Sequence, residues 1–285
     1  MFSTSRRSRR ALLATLAATL GTAAVVTPMA TAAPAQKPAE PRPTVVLVHG
    51  AWADSAGWDG VVKRLQADGY KVTAPATPLR GLASDSAYLA AYLKTIPGPV
   101  VLVGHSYGGA VVTNAATQSS NVKALVYVAG FALDKGESGN EMFAKFPGSH
   151  LTDDPSAPVP TALNAVPVPQ ADGTTGVDLY IKPNKFRDVF LSNRLTARTA
   201  ASLAATQRPI SAQAAGDLSG TPAWKTIPSW YLVPTKDHVI PPAAERFMAK
   251  RAHAHTVEID APHAVHVSNP GAVTGLVKRA ASQVD

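Results

Sequence analysis

Three nearly uninterrupted apolar runs, rich in β-branched residues, limit what this chain can become: Thr44–Val48, Val100–Val103 and Lys123–Ala129. A strand with one face in water alternates apolar and polar residues. These runs do not, so they predict strands buried on both faces of a parallel sheet. Between them the period changes. Residues Asp54–Asp68 place Trp58, Val61, Val62 and Leu65 at helical spacing before Gly69. A short strand at Lys71–Ala74, a helix over Ser84–Ile96 and a helix body over Ala110–Gln118 complete the alternation. The pattern predicts an α/β fold: a mostly parallel sheet with helices on both faces.

From Asp134 to about Pro222 the alternation stops, and residues 153–170 carry five prolines. Val166–Val168 and Val177–Ile181, separated by Asp172-Gly173, predict a small hairpin. The Ala-rich stretch Phe186–Gln207 predicts a helix ending before Pro209. Parallel-sheet runs return at Trp230–Val233 and Thr256–Ile259, and a last helix is expected over Ala272–Ser282. The reading is therefore one domain over 44–285, with a cap inserted at about 134–222 after the fourth of about six strands. No internal repeat is visible.

The amino-terminal end has a separate logic. Residues 5–10 read Ser-Arg-Arg-Ser-Arg-Arg, and Ala11–Val26 is uncharged and apolar. That run is shorter than the roughly 20 residues needed to cross a bilayer. With the small residues Ala30-Thr31-Ala32 it predicts a signal peptide over 1–32 and no stable membrane anchor after cleavage. The stretch Ser8-Arg9-Arg10-Ala11-Leu12-Leu13 is similar to a twin-arginine export signal, so the protein is expected outside the cytoplasm, secreted or periplasmic. Pro34, Pro38, Pro41 and Pro43 mark residues 33–43 as an exposed lead-in.

The formal charge of +8 owes half its excess to Arg6, Arg7, Arg9 and Arg10; the rest of the chain holds 23 basic and 19 acidic residues. No Lys/Arg run with interleaved aromatics remains, which argues against nucleic acid as a partner. The absence of Cys excludes a disulfide scaffold, an iron–sulfur cluster, a Cys-based zinc site and a thiol nucleophile.

Gly104-His105-Ser106-Tyr107-Gly108 is a G-x-S-x-G pentapeptide that directly follows one buried strand and opens a helix. That context presents a serine hydroxyl on a sharp turn above the sheet edge, at a helix N-terminus. A serine hydroxyl is a weak nucleophile unless a base takes its proton and a third group orients that base. Of eight histidines, His263 and His266 lie just past the last strand, at the edge where parallel α/β sheets hold ligands. His263, nearer the strand, is chosen as the base, with His266 as the alternative. Asp237, after the Trp230–Val233 strand, is the expected acid; Asp134 is the alternative, and Asp260 stands too close along the chain to reach the ring. The oxyanion donors are assigned to the backbone N–H groups of Ala51 and Tyr107. Trp52 either walls the pocket or packs in the core.

Val-Leu-Val-His-Gly-Ala-Trp (46–52), Val-Gly-His-Ser-Tyr-Gly-Gly (103–109), Asp-His-Val-Ile-Pro-Pro (237–242) and His-Ala-Val-His-Val-Ser-Asn-Pro (263–270) resemble the α/β-hydrolase superfamily. They look like small bacterial serine esterases and, more distantly, plant methyl esterases and hydroxynitrile lyases. The resemblance spans about Thr44 to Ala280 and implies hydrolysis of a small-molecule carboxylic ester through an acyl-enzyme, with no cofactor and no catalytic metal. Ser106 argues against the dehalogenase and epoxide hydrolase branches, which use Asp there. Gly50 and Ala264 stand where hydroxynitrile lyases typically carry Thr and Lys, which argues against a lyase. A cofactor-free perhydrolase or a lipase on the same triad remains an alternative, as does a non-catalytic binding protein. The spacings of His253, His255, His263 and His266 also leave a metal site conceivable.

Overall fold

The computed structural model describes residues 42–284. The signal peptide expected over 1–32 and all but the end of the Pro-rich lead-in lie outside them. Strands β1 (Thr44–Val48), β2 (Val72–Thr73), β3 (Val100–His105) and β4 (Val122–Val128) come first, interleaved with helices α1 (Asp59–Ala67), α2 (Leu82–Leu93) and α3 (Tyr107–Ala115). The next segment contains α4 (Gly139–Lys145), β5 (Leu163–Pro169), β6 (Thr175–Ile181), α5 (Pro183–Val189), α6 (Ala197–Thr206), β7 (Ile210–Ser211) and α7 (Ala212–Gly216). The chain closes with β8 (Ser229–Pro234), α8 (Pro242–Arg251), β9 (His255–Ile259), α9 (Val265–Ser268) and α10 (Pro270–Ala281).

Six strands form one sheet in the order β2-β1-β3-β4-β8-β9, with every neighbouring pair parallel. The apolar runs are continuous because both faces are covered. Val45, Leu47, Val101, Val103, Val126 and Leu232 pack against α1 and α10 on one face. Val46, Val48, Leu102, Leu125, Tyr127 and Val233 pack against α2, α3 and α8 on the other. Each such side chain, fully buried, contributes about 1.5–3 kcal/mol. The register pairs Val48 with Gly104, His105 with Val128, Val128 with Leu232 and Pro234 with Ile259. The carboxyl ends of the strands therefore finish side by side, and the loops after them share one edge.

Between β4 and β8 lies a second sheet, antiparallel in the order β5-β6-β7. The β5–β6 hairpin turns at Asp172-Gly173, where Asp172 accepts from the Thr174 N–H. The helix expected over Phe186–Gln207 is two helices, and this is a correction. After α5, Ser192 and Asn193 take left-handed backbone (φ 47° and 60°), and α6 restarts at Thr196, whose hydroxyl caps it through the Thr199 N–H. Ser and Asn hydroxyl and amide groups bond locally and tolerate that turn, so composition alone hid the break. Among the described residues, no helix is long and apolar enough to cross a membrane.

Candidate active site

Ser106 sits at the junction of β3 and α3 with φ 54° and ψ −124°, outside the ordinary basins for a residue with a Cβ. Such a conformation costs about 1–3 kcal/mol and persists only when its surroundings enforce it. The Ser106 N–H donates to the Ala129 carbonyl (3.1 Å) and its carbonyl accepts from the Phe131 and Gly109 N–H groups. A Cβ on Gly104 would lie 2.5 Å from the Gly108 carbonyl oxygen, so the turn requires glycine there. A Cβ on Gly50 would lie 2.6 Å from that of Ser106, so the loop after β1 can approach the serine only as glycine.

That loop is held by His49. Its Nδ1–H donates to the Gly50 carbonyl (2.9 Å) and its Nε2 accepts from the Thr77 N–H (2.9 Å), which fixes the neutral tautomer. Burial lowers the His49 pKa further. The N–H groups of Ala51 and Tyr107 find no acceptor among the described residues. Tyr107 is anchored by its hydroxyl, which donates to the buried Asp85 carboxylate (2.8 Å). Burial, then the charge of Asp85, raises the phenol pKa, so it stays a donor.

Asp237 and His263 are brought together. The His263 Nδ1–H donates to Asp237 Oδ2 at 2.5 Å, and both side chains are fully buried. Asp237 Oδ1 accepts from the N–H groups of Val239 (2.6 Å) and Ile240 (2.9 Å), which locks the carboxylate. Nε2 of His263 is buried with no partner among the described residues. Behind it, the His105 Nε2–H donates to the His263 carbonyl (3.0 Å), so the residue before the serine steadies the loop bearing this imidazole.

The alternatives lie elsewhere. His266 packs against His105 (4.2 Å between ring centroids, tilted by 51°) and Trp58 (4.7 Å, tilted by 42°), with neither nitrogen hydrogen-bonded among the described residues. Burial, reinforced by His263 and His49, lowers its pKa to about 3, so it is neutral. Asp134 is paired with Lys225 (2.6 Å), and Asp260 takes both guanidinium nitrogens of Arg194. His253 and His255 are exposed and do not join His263 and His266 in a metal cluster among the described residues.

Sequence reasoning missed Glu245. It sits in the first turn of α8, wholly buried, with both carboxyl oxygens unpartnered among the described residues. Burial, then the charge of Asp237, pushes the pKa of its carboxyl well above the usual range, which favours the protonated form. The only available signal was an acid eight residues past Asp237, too common to single out.

Ser106 and Tyr107 open into a cavity of about 230 Å³. Ala51 and Trp52 line it beside the serine, and Phe143, Leu151, Leu163 and Leu179 from the cap line it opposite. Trp52 does both things the sequence allowed. It is 7% exposed and faces the cavity, while its indole N–H donates to the Leu179 carbonyl (2.9 Å) and ties the loop after β1 to the cap.

The profile of the alpha/beta hydrolase family matches residues 45–275. Over 106 residues the chain is 31% identical to a carbendazim hydrolyzing esterase of Nocardioides sp. strain SG-4G. That stretch is 33% of this chain and 44% of the relative, so it spans less than half of that protein. A pyrethroid hydrolase of Sphingobium wenxiniae is 28% identical over 243 residues, 79% of this chain and 83% of that one. The crystal structure of polyneuridine aldehyde esterase superposes with a TM-score of 0.69 at 20% identity, covering 84% of this chain and 98% of that one. The last comparison speaks to the fold, which is the six-stranded parallel sheet with helices on both faces described above. This chain belongs to the alpha/beta hydrolase family.

Proposed function

We propose that this protein is an exported serine hydrolase that cleaves carboxylic esters through an acyl-enzyme on Ser106. The observation that carries the reading is the buried Asp237–His263 pair, whose free Nε2 belongs to a loop fastened to the residue preceding an elbow serine. In the proposed reaction the Ser106 oxygen attacks the ester carbonyl carbon and its proton passes to His263 Nε2. Asp237 supports the imidazolium, and the Ala51 and Tyr107 N–H groups receive the oxyanion. The C–O bond then breaks, Nε2 returns the proton to the departing alkoxide, and a water repeats the sequence to release the acid and regenerate the serine.

The apolar cavity supports an uncharged ester with a short or medium acyl group in solution. Curated relatives named as esterase or pyrethroid hydrolase support ester over amide. Export rests on the basic and apolar pattern of residues 1–32, and an amino terminus beginning at Ala33 in secreted material would support it. The chemistry is tested with Ser106→Ala on p-nitrophenyl esters of increasing chain length. Loss of the nucleophile should lower kcat by roughly 10⁴–10⁶ without altering the fold. Near-normal turnover by a folded variant contradicts the reading, and a sharp rate rise on micellar long-chain ester would replace esterase by lipase.

A further inference from the structure

Three side chains far apart in sequence meet at the junction between the cap and the loop of Asp237. His150 lies between α4 and β5, Asp188 on α5, and His238 directly after Asp237. The His150 Nδ1 is 2.8 Å from Asp188 Oδ2, and the His238 Nδ1 is 3.3 Å from Asp188 Oδ1. The two imidazoles stack with centroids 3.8 Å apart and planes at 25°, and the His238 Nδ1 also lies 3.1 Å from the Asp188 backbone carbonyl oxygen. One donor atom from each residue lies within 4.8 Å of the other two.

We propose that His150, Asp188 and His238 bind one divalent transition-metal ion of the zinc type. Tetrahedral zinc with N and O ligands at about 2.0–2.2 Å sets neighbouring donors about 3.4 Å apart. The His–Asp separations of 2.8 and 3.3 Å are close to that spacing, and with all three donors within 4.8 Å of one another the site closes by shifts of up to about 1.4 Å and a rotation of one imidazole out of the stack. Two imidazoles and one carboxylate suit zinc, nickel or copper rather than the all-oxygen preferences of magnesium and calcium. The ligands are also held from outside. The Asn193 side-chain amide donates to Asp188 Oδ1 (3.0 Å), and the His150 N–H donates to the His238 carbonyl (2.7 Å), fixing both loops before any ion arrives. The three side chains are 26–45% exposed, which leaves an entry path and room for a water as fourth ligand.

The ion is a clamp and takes no part in the serine chemistry. It would join two cap residues to the residue after Asp237, within the loop whose next two N–H groups hold that carboxylate. Occupancy should therefore raise the melting temperature of the whole protein.

The test is calorimetric titration of untagged, EDTA-treated and desalted protein with zinc sulfate, with Co²⁺ absorption as a direct view of the ligand set. One equivalent binding in the micromolar range or tighter, with a raised Tm and an intense tetrahedral Co²⁺ band, is expected. His150→Ala, His238→Gln and Asp188→Asn should each weaken binding roughly tenfold or more. His253→Ala, outside the cluster, should bind as the wild type does. Metal-free melting curves establish that each variant is folded. No saturable binding in the micromolar range, or full affinity retained in a folded His150 or His238 variant, overturns the site and leaves a hydrogen-bonded cluster only.

Discussion

His263 and His266 stand three positions apart, yet one shares a 2.5 Å bond with a locked carboxylate and the other is wedged between His105 and Trp58 without a polar partner. Kinetics should separate them. His263→Ala is expected to lose about as much kcat/KM as Ser106→Ala, and Asp237→Asn somewhat less, while His266→Ala and Asp134→Asn stay within about tenfold of wild type. An active His263→Ala beside an inactive His266→Ala would contradict the assignment. Glu245 yields a second residue-scale expectation. Burial raises the pKa of its carboxyl above the value in the unfolded chain, so the folded-state pKa is the higher one. The stability linked to that proton is fully present below the unfolded value, about 4.3, and is lost as pH rises toward the folded value. Glu245→Gln is neutral at every pH, so its stability relative to wild type should increase as the pH rises from 5 toward 8, until the folded-state pKa is reached. Denaturant unfolding of both proteins across that range checks it, and a pH-independent difference would show that Glu245 is ionised in the fold.

The loop after β1 does its work by touching the cap, and Trp52 is the contact. Trp52→Phe keeps a ring in the cavity wall but strands the Leu179 carbonyl, at a cost of about 1–3 kcal/mol in stability. If that bond sets the distance between loop and cap, KM for medium-chain esters should rise several-fold while kcat on acetate changes little. Equal loss in kcat on all chain lengths would instead place the effect on the Ala51 donor. The elements themselves were unevenly legible. β1, β3, β4 and β8 could be read because burial on both faces leaves an unmistakable apolar run. The β5–β6 hairpin was legible from Asp172-Gly173. The split between α5 and α6 was not, because Ser192 and Asn193 suit a helix surface and a left-handed turn about equally until tertiary contacts choose. The two residues of β7 carry no pattern at all; β7 exists as a strand because it pairs with β6.

At the scale of the molecule, what could be read depended on whether a residue's position follows from a strand end. Ser106, Asp237 and His263 each come within four residues of a strand's carboxyl end, and a parallel sheet sets such ends along one edge, so one sequence sufficed to nominate them. Glu245 depends on how α8 packs behind Asp237, and His150, Asp188 and His238 depend on where the cap folds back. Those arrangements are set by tertiary packing, not by spacing. The central claim, that Ser106 becomes acylated, is tested most directly by intact-mass and peptide mass spectrometry after treatment with an alkyl organophosphonate. One covalent equivalent is expected, located on Ser106, absent in Ser106→Ala and unchanged by EDTA, with activity lost in proportion to labelling. A label on another residue, or full inhibition without a covalent adduct, would contradict it.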